Sequence, residues 1–443
     1  SMSLVDGICI KLNLLKHQKI ARKQTYKTGD YKMTLGTMAT DSEIRIDYAK
    51  LRTDRRQKMN DQMKKDGMKA LLCFDPDTIR YITSTKLNDW TNNKLARSCL
   101  FVADQEPILF EVGSAIETKK RLSPWIKDHI YPFVGGMRGS FPKPVVYENA
   151  KKFAGMIADW LKKFGVEKEA LGMDITEIPF LLALQEEGIT IVDAQQTILE
   201  AEAIKTPEEI ELIETSIAIV EAAFWEVVNT ARPGMRENEI NGMMRKKMYE
   251  LGAEEIQNIN VISGNRSFPH PHDASDRFLR MGDMLFIDVV SIFNGYKTCY
   301  YQTFVIGKPS QKQLEVYKKA YDWLFTGINL IKPGVSTSEV ALAWPTAQEL
   351  GLATEGEAFA LQLGHGIGIT HWAKPVISRM FSIEHPEIIR EGMVFALETY
   401  AGSGNDGARI EEMIVVEKDG CRMLSKFPSK NLISCPCVGN LLP

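Results

Sequence analysis

No apolar run in the 443 residues approaches the ~18–20 needed to cross a bilayer, which excludes a helical membrane span. Net charge is nearly absent too: 54 Lys and Arg against 57 Asp and Glu leave −3. No global field therefore draws the chain to nucleic acid or to an anionic membrane surface. Cysteine is sparse, odd in number and scattered, with seven along the chain, which argues against a disulfide framework and for reduced thiols in a cytoplasmic protein. Cys435 and Cys437 lie close together, but with no further Cys or His nearby their spacing is poor for a metal. What remains is the composition of a globular protein, 44% hydrophobic and 25% charged, and its length calls for about two domains.

The ends and middle of the chain differ in character. In residues 1–41 the bases Lys11, Lys16, Lys19, Arg22, Lys23, Lys27 and Lys32 face only Asp6, Asp30 and Asp41, and no signal-peptide core is present. This reads as a basic extension outside the fold. Residues 42–200 alternate helix and strand: a helix over 46–65, a buried strand Ala70–Phe74 ended by Asp75-Pro76-Asp77, strands at 99–102 and 107–110, a helix over 150–164, and a strand at 171–174. Thr206, Pro207, Glu208 and Glu209 then open a long amphipathic helix as cap, first turn and acidic start.

Residues 201–443 contain an internal repeat. Ala231-Arg232-Pro233-Gly234 is echoed by Ile331-Lys332-Pro333-Gly334, and the stretch from Gly282 to Asp288 by that from Gly392 to Glu398. Two echoes in register imply a pseudo-two-fold domain with its site between the halves. Each copy runs an apolar strand into a carboxylate: Asp288 after 284–287 and Glu398 after 394–397, while Glu411 precedes a third strand at 413–416. Acids set in apolar runs are costly unless paired, protonated or bound to a cation. His365 stands between Gly364 and Gly366, which lets backbone and imidazole approach a ligand closely. His270 and His272 share the loop Phe268-Pro269-His270-Pro271-His272, from which an imidazole could act as acid or base.

The stretches 282–307, Gly364–Gly368, Phe395–Thr399 and Arg409-Ile410-Glu411-Glu412, with the order of elements across residues 42–430, resemble the pita-bread superfamily of methionine aminopeptidases, prolidases and creatinases. The resemblance implies an α+β protein: a C-terminal pita-bread domain with a pseudo-two-fold repeat, preceded by an α/β creatinase-type N-terminal domain. It also implies metal ligation by Asp288, His365, Glu398 and Glu411, and a homodimer. The pattern departs from the family at three places. Cys299 stands where a second, bridging Asp is usual, Gln302 where an Arg is usual, and Trp372 where a second His is usual, with His371 one place early. A two-metal centre is therefore impaired, and the cofactor is expected to be none or one divalent transition metal (Zn, Fe, Mn or Co), with Cys299 a further ligand for a soft ion.

The reading that follows is a creatinase-like hydrolase of a C–N bond in a small cationic substrate, acting on no nucleic acid and no membrane. His272 would be the acid–base, with Glu398 and Glu411 holding the cation, His365 beside them, and His270, His371, Trp372 and Tyr296 contacting substrate. Three alternatives stand beside it. One is a metal-dependent Xaa-Pro dipeptidase or aminopeptidase. Another is a lyase like the pita-bread dimethylsulfoniopropionate lyase, in which His371 takes the place of a catalytic Asp. The last is a non-catalytic binding module, disfavoured because such a module has no need of buried acids.

Overall fold

The computed structural model describes residues 46–86, 95–133, 135–268 and 271–436. The basic extension and His270 lie outside the described residues.

Helix α1 (Tyr48–Lys65) starts where Asp47 accepts hydrogen bonds from the backbone N–H groups of Ala49 and Lys50. Strands β1 (Ala70–Cys73), β2 (Ser98–Val102), β3 (Ile108–Glu111), β4 (Ile130–Pro132), β5 (Leu171–Met173) and β6 (Ile191–Asp193) form one sheet in the order β4-β3-β2-β1-β5-β6. All four residues of β1 are buried, because both faces of the sheet are covered. Leu71 and Cys73 share a core with Met59 and Met63 of α1. Ala70 and Leu72 share another with Phe153 and Ile157 of a helix spanning Lys143–Lys163. That helix starts seven residues before the expected Ala150. Pro144 sits in its first turn, where a missing N–H costs nothing.

The second half holds two further sheets. One is formed by β7 (Glu255–Ser263), β8 (Met284–Phe293), β9 (Tyr296–Lys297), β10 (Tyr300–Ile306) and the distant β16 (Ile433–Cys435), in the order β16-β10-β8-β7 with β9 beside β8. The other is formed by β11 (Leu363–Gly366), β12 (Ala373–Ile377), β13 (Val394–Ser403), β14 (Asp406–Glu417) and β15 (Gly420–Met423), in the order β12-β11-β13-β14-β15. The repeat seen in the sequence is carried by the backbone itself. Gly234 and Gly334 have φ of 88° and 90°, and Gly282 and Gly392 both have 83°. These are left-handed values that glycine takes at least cost. Gly234 N–H donates to Leu279 O and Gly334 N–H to Ile389 O, each at 2.9 Å.

The acids do not end their strands as the apolar runs implied. Asp288 lies in the middle of β8, Glu398 in the middle of β13 and Glu411 in the middle of β14. The strands continue past them because each carboxylate faces the space between the halves while its neighbours face the cores. Under the offset that relates Asp288 to Glu398, Tyr301 corresponds to Glu411 and Cys299 to Arg409. The registers agree: Asp288 is opposite Tyr301, and Glu398 is opposite Glu411.

The first sheet's domain is tied to the second half near this space. Lys297 Nζ pairs with Asp77 and donates to Ile369 O at 2.6 Å. Arg80 makes a two-pronged contact with Glu254 at 2.6 and 2.8 Å.

Candidate active site

Asp288, Cys299, His365, Glu398 and Glu411 converge between the two halves, all buried. Among the described residues, Asp288 Oδ1 and both oxygens of Glu411 lack a well-formed hydrogen bond, although the Tyr301 hydroxyl draws on Asp288 and the Cys299 thiol on Glu411. Asp288 Oδ2 is held by Asn260 Nδ2 at 2.9 Å, and burial pushes its carboxyl up to about 7 against the pull of Arg409. Glu411 is raised well above the usual carboxylate range, first by burial and then by Glu398 and Asp288.

Glu398 is differently placed. Arg409 Nε donates to its Oε2 at 3.0 Å, and Arg409 Nη2 pairs with the same oxygen. Burial raises Glu398 while Arg409 draws it back. The guanidinium also lies over the Tyr301 ring, 4.1 Å from its centroid. Arg409 is anchored from below, its backbone N–H donating to Thr303 Oγ1 and its carbonyl accepting from the same hydroxyl. A built-in cation thus neutralises one of the three acids.

His365 Nδ1 lies 2.9 Å from the Gly366 carbonyl, a contact that puts the ring proton on Nδ1 and turns Nε2 towards Glu411, 4.0 Å away. Burial lowers the imidazole to about 4, although the Gly366 and His371 carbonyls pull the other way, so it is neutral at pH 7. The glycines flanking it are explained by contact: a Cβ on Gly366 would stand 2.2 Å from the Lys374 carbonyl oxygen. Trp372 stacks on His365 with centroids 4.8 Å apart and planes 7° apart, while remaining 42% exposed. It also lines a cavity of about 180 Å³ with Asp75, Asp77, Asp174 and Thr370. His371 meets the His365 ring edge-on, and its Nε2 is buried without a partner. Burial, then His365 and Lys297, lowers it to about 3.

Two expected contacts fall elsewhere. Tyr296 is fully buried, donates to Glu209 Oε1 at 3.0 Å and accepts from Arg55 at 3.3 Å, so it has no face open to a ligand. The alternation of β9 turns it towards the first domain rather than the site. His272 is exposed, and burial and then the field of Arg409 lower it. Asn260, Tyr301 and Arg409 escaped the sequence reading. Arg409 had a usable signal: a base inside a buried apolar strand, two residues from an acid on the same face.

One divalent cation fits this set. The ligand atoms of Asp288, Cys299 and Glu411 lie within 4.8 Å of one another, and among the described residues three of the carboxylate oxygens lack a well-formed hydrogen bond. Cys299 joins these acids where the resemblance leads one to expect a bridging carboxylate, and Arg409 pairs with one oxygen of Glu398.

Comparisons with known proteins agree with this architecture. Residues 55–204 match the Creatinase/Prolidase N-terminal domain and residues 211–418 match Metallopeptidase family M24. The chain is 30% identical to the Xaa-Pro dipeptidase of Pyrococcus furiosus over 226 residues, 50% of this chain, and spans 63% of that relative's length. It is 23% identical to the dimethylsulfoniopropionate lyase DddP of Roseobacter denitrificans over 403 residues, 86% of this chain and 87% of that protein. Among solved structures, the Xaa-Pro dipeptidase from Bacillus anthracis superposes with a TM-score of 0.69 at 22% identity, covering 86% of this chain and 99% of that one. The prolidase from Thermococcus sibiricus gives 0.71 at 21%, with the same coverage.

Proposed function

The chain belongs to the pita-bread superfamily, and on that premise we propose that it is a metal-dependent hydrolase of small Xaa-Pro-type dipeptides working with one divalent ion. The observation that carries this reading is the pair of buried acids Asp288 and Glu411, three of whose oxygens lack a well-formed hydrogen bond among the described residues, beside a neutral His365. Such oxygens are several kcal/mol too costly to leave ionised without a cation. Asp288, His365 and Glu411 would hold a divalent ion, which would supply Lewis acidity towards a scissile carbonyl and its attacking water.

The chain's own groups supply the rest. Glu398, the acid this reading leaves off the ion, takes a proton from the attacking water and returns it to the leaving imino nitrogen as the C–N bond breaks. Arg409 offsets charge gathered in the pocket through Glu398. Trp372, stacked on His365 and open on its other side, offers a flat apolar face to a pyrrolidine ring.

The creatinase-like reading is weaker. The relatives include Xaa-Pro dipeptidases, and the matching family is a metallopeptidase one. A dimethylsulfoniopropionate-type lyase remains the second reading, supported by the near full-length likeness to DddP and by the unpartnered His371 Nε2 in the pocket.

The test is to incubate chelator-stripped and metal-loaded protein with Xaa-Pro dipeptides, creatine and dimethylsulfoniopropionate, measuring free proline, urea and dimethyl sulfide. Metal-dependent proline release alone is expected, reduced about 10²–10⁴-fold in Glu398→Gln. Dimethyl sulfide without proline would replace the dipeptidase reading with the lyase.

A further inference from the structure

Cys299 stands at the junction of two donor groups. Its Sγ and ring nitrogens of His365 and His371 all lie within 4.8 Å of one another, and so do its Sγ and carboxylate oxygens of Asp288 and Glu411. Cys299 borders the apolar core on one side and on the other faces two acids and two imidazoles; its thiol is a donor to Glu411, and among the described residues His371 Nε2 is buried without a partner. Tetrahedral zinc, with bonds of about 2.0–2.3 Å, sets its ligands roughly 3.5 Å apart. Small side-chain movements would bring these atoms onto one ion.

We propose that Cys299, His365 and His371 form a thiolate–imidazole face of the metal centre, opposite the carboxylates of Asp288 and Glu411, so that the resident ion is a borderline-soft one such as zinc. This rests on reading the pocket as a metal-dependent hydrolase site, and it adds two ligands, Cys299 and His371, to that reading. Thiolate and imidazole favour zinc over the hard manganese or magnesium that a carboxylate set would suit. Binding exchanges one proton for one bond: the thiol loses H⁺ to solvent as the sulfur–metal bond forms. The two imidazoles come from one short loop. His365 is on β11, and His371 follows the segment whose Ile369 carbonyl is held by Lys297.

The full chain, stripped with chelator, is titrated with Co(II) and Zn(II). Metal-to-protein ratio is read by mass spectrometry, and the cobalt form by its near-ultraviolet thiolate-to-metal charge-transfer band. One ion per chain and a clear band are expected. Cys299→Ser should lose the band and bind about 10–100-fold more weakly, while His371→Gln keeps the band and weakens binding by a similar factor. Cys299→Asp should hold one ion without the band, which guards against a folding failure in the serine variant. A wild-type chain that binds no ion, or binds one without the band, overturns the proposal, as does Cys299→Ser with undiminished affinity. A band without release of proline refutes the dipeptidase reading and leaves this centre standing. Proline release by loaded protein that shows no band does the reverse.

Discussion

Replacing Asp288 by Asn should stabilise the metal-free protein at alkaline pH while removing its ability to hold a metal. Asp288 is fully enclosed, and its carboxyl moves from 3.8 to about 7 on folding. A folded-state value above the unfolded one means that the native state binds the extra proton. Stability from this group is present below about pH 4 and is lost as pH rises through about 7. Some three pH units at about 1.4 kcal/mol each make a loss of up to about 4 kcal/mol at pH 8. Asn has nearly the same shape, can keep an oxygen towards Asn260 Nδ2, and carries no charge to bury. Urea denaturation in chelator should therefore show Asp288→Asn more stable than the parent at pH 8, by up to that amount, with the gap closing towards pH 5. With zinc present the order should reverse, because binding stabilises only the parent. A pH-independent difference, or a loss of stability at pH 8 in chelator, would refute the idea that Asp288 is a destabilising charge kept for a cation.

Arg409→Met removes one partner of a buried pair and leaves Glu398 uncompensated, so metal-free stability should fall by about 3–5 kcal/mol, read by chemical denaturation. Added divalent ion should recover part of that loss, and a neutral outcome would mean that Glu398 is protonated and needs no counter-charge. Trp372→Ala takes away the ring stacked on His365 and should raise KM for Xaa-Pro dipeptides about five- to ten-fold, with kcat changing less. Steady-state kinetics showing an unchanged KM would exclude the indole as a substrate face. At the paired repeat glycines, Gly282→Ala should cost about 1 kcal/mol for its φ of 83° alone. Gly392→Ala should cost more, because its Cβ would stand 2.8 Å from Ile204 Cγ2, whereas Gly282 faces open space. Equal melting temperatures for the two variants would contradict that difference.

The fold was legible because it is written twice. The Pro-Gly turns at 233–234 and 333–334, and the Gly–strand–acid stretches at 282–288 and 392–398, are local patterns that need no knowledge of distant contacts. Asp288, His365, Glu398 and Glu411 were found from such patterns, and the structure brings all four together. The misses are residues whose meaning depends on what lies across the sheet. Tyr296 was given to the substrate because it is aromatic and near Asp288 in sequence, yet one step of strand alternation sends it to Glu209 and Arg55. Arg409 was passed over as part of a motif, and only its side chain reveals that it neutralises Glu398. Strand limits were set too short at every acid, because hydropathy cannot tell a carboxylate facing a polar cluster from one facing water.

The correspondence of Cys299 with Arg409 in the repeat also sets an electrical balance. Three carboxylates facing one fixed guanidinium leave the cluster short of two positive charges when all are ionised, which a single dication would supply. A second dication would leave the pocket with surplus positive charge in a place that water barely reaches. The half of the molecule that carries Arg409 thus acts as a permanent counter-ion for the half that carries Cys299.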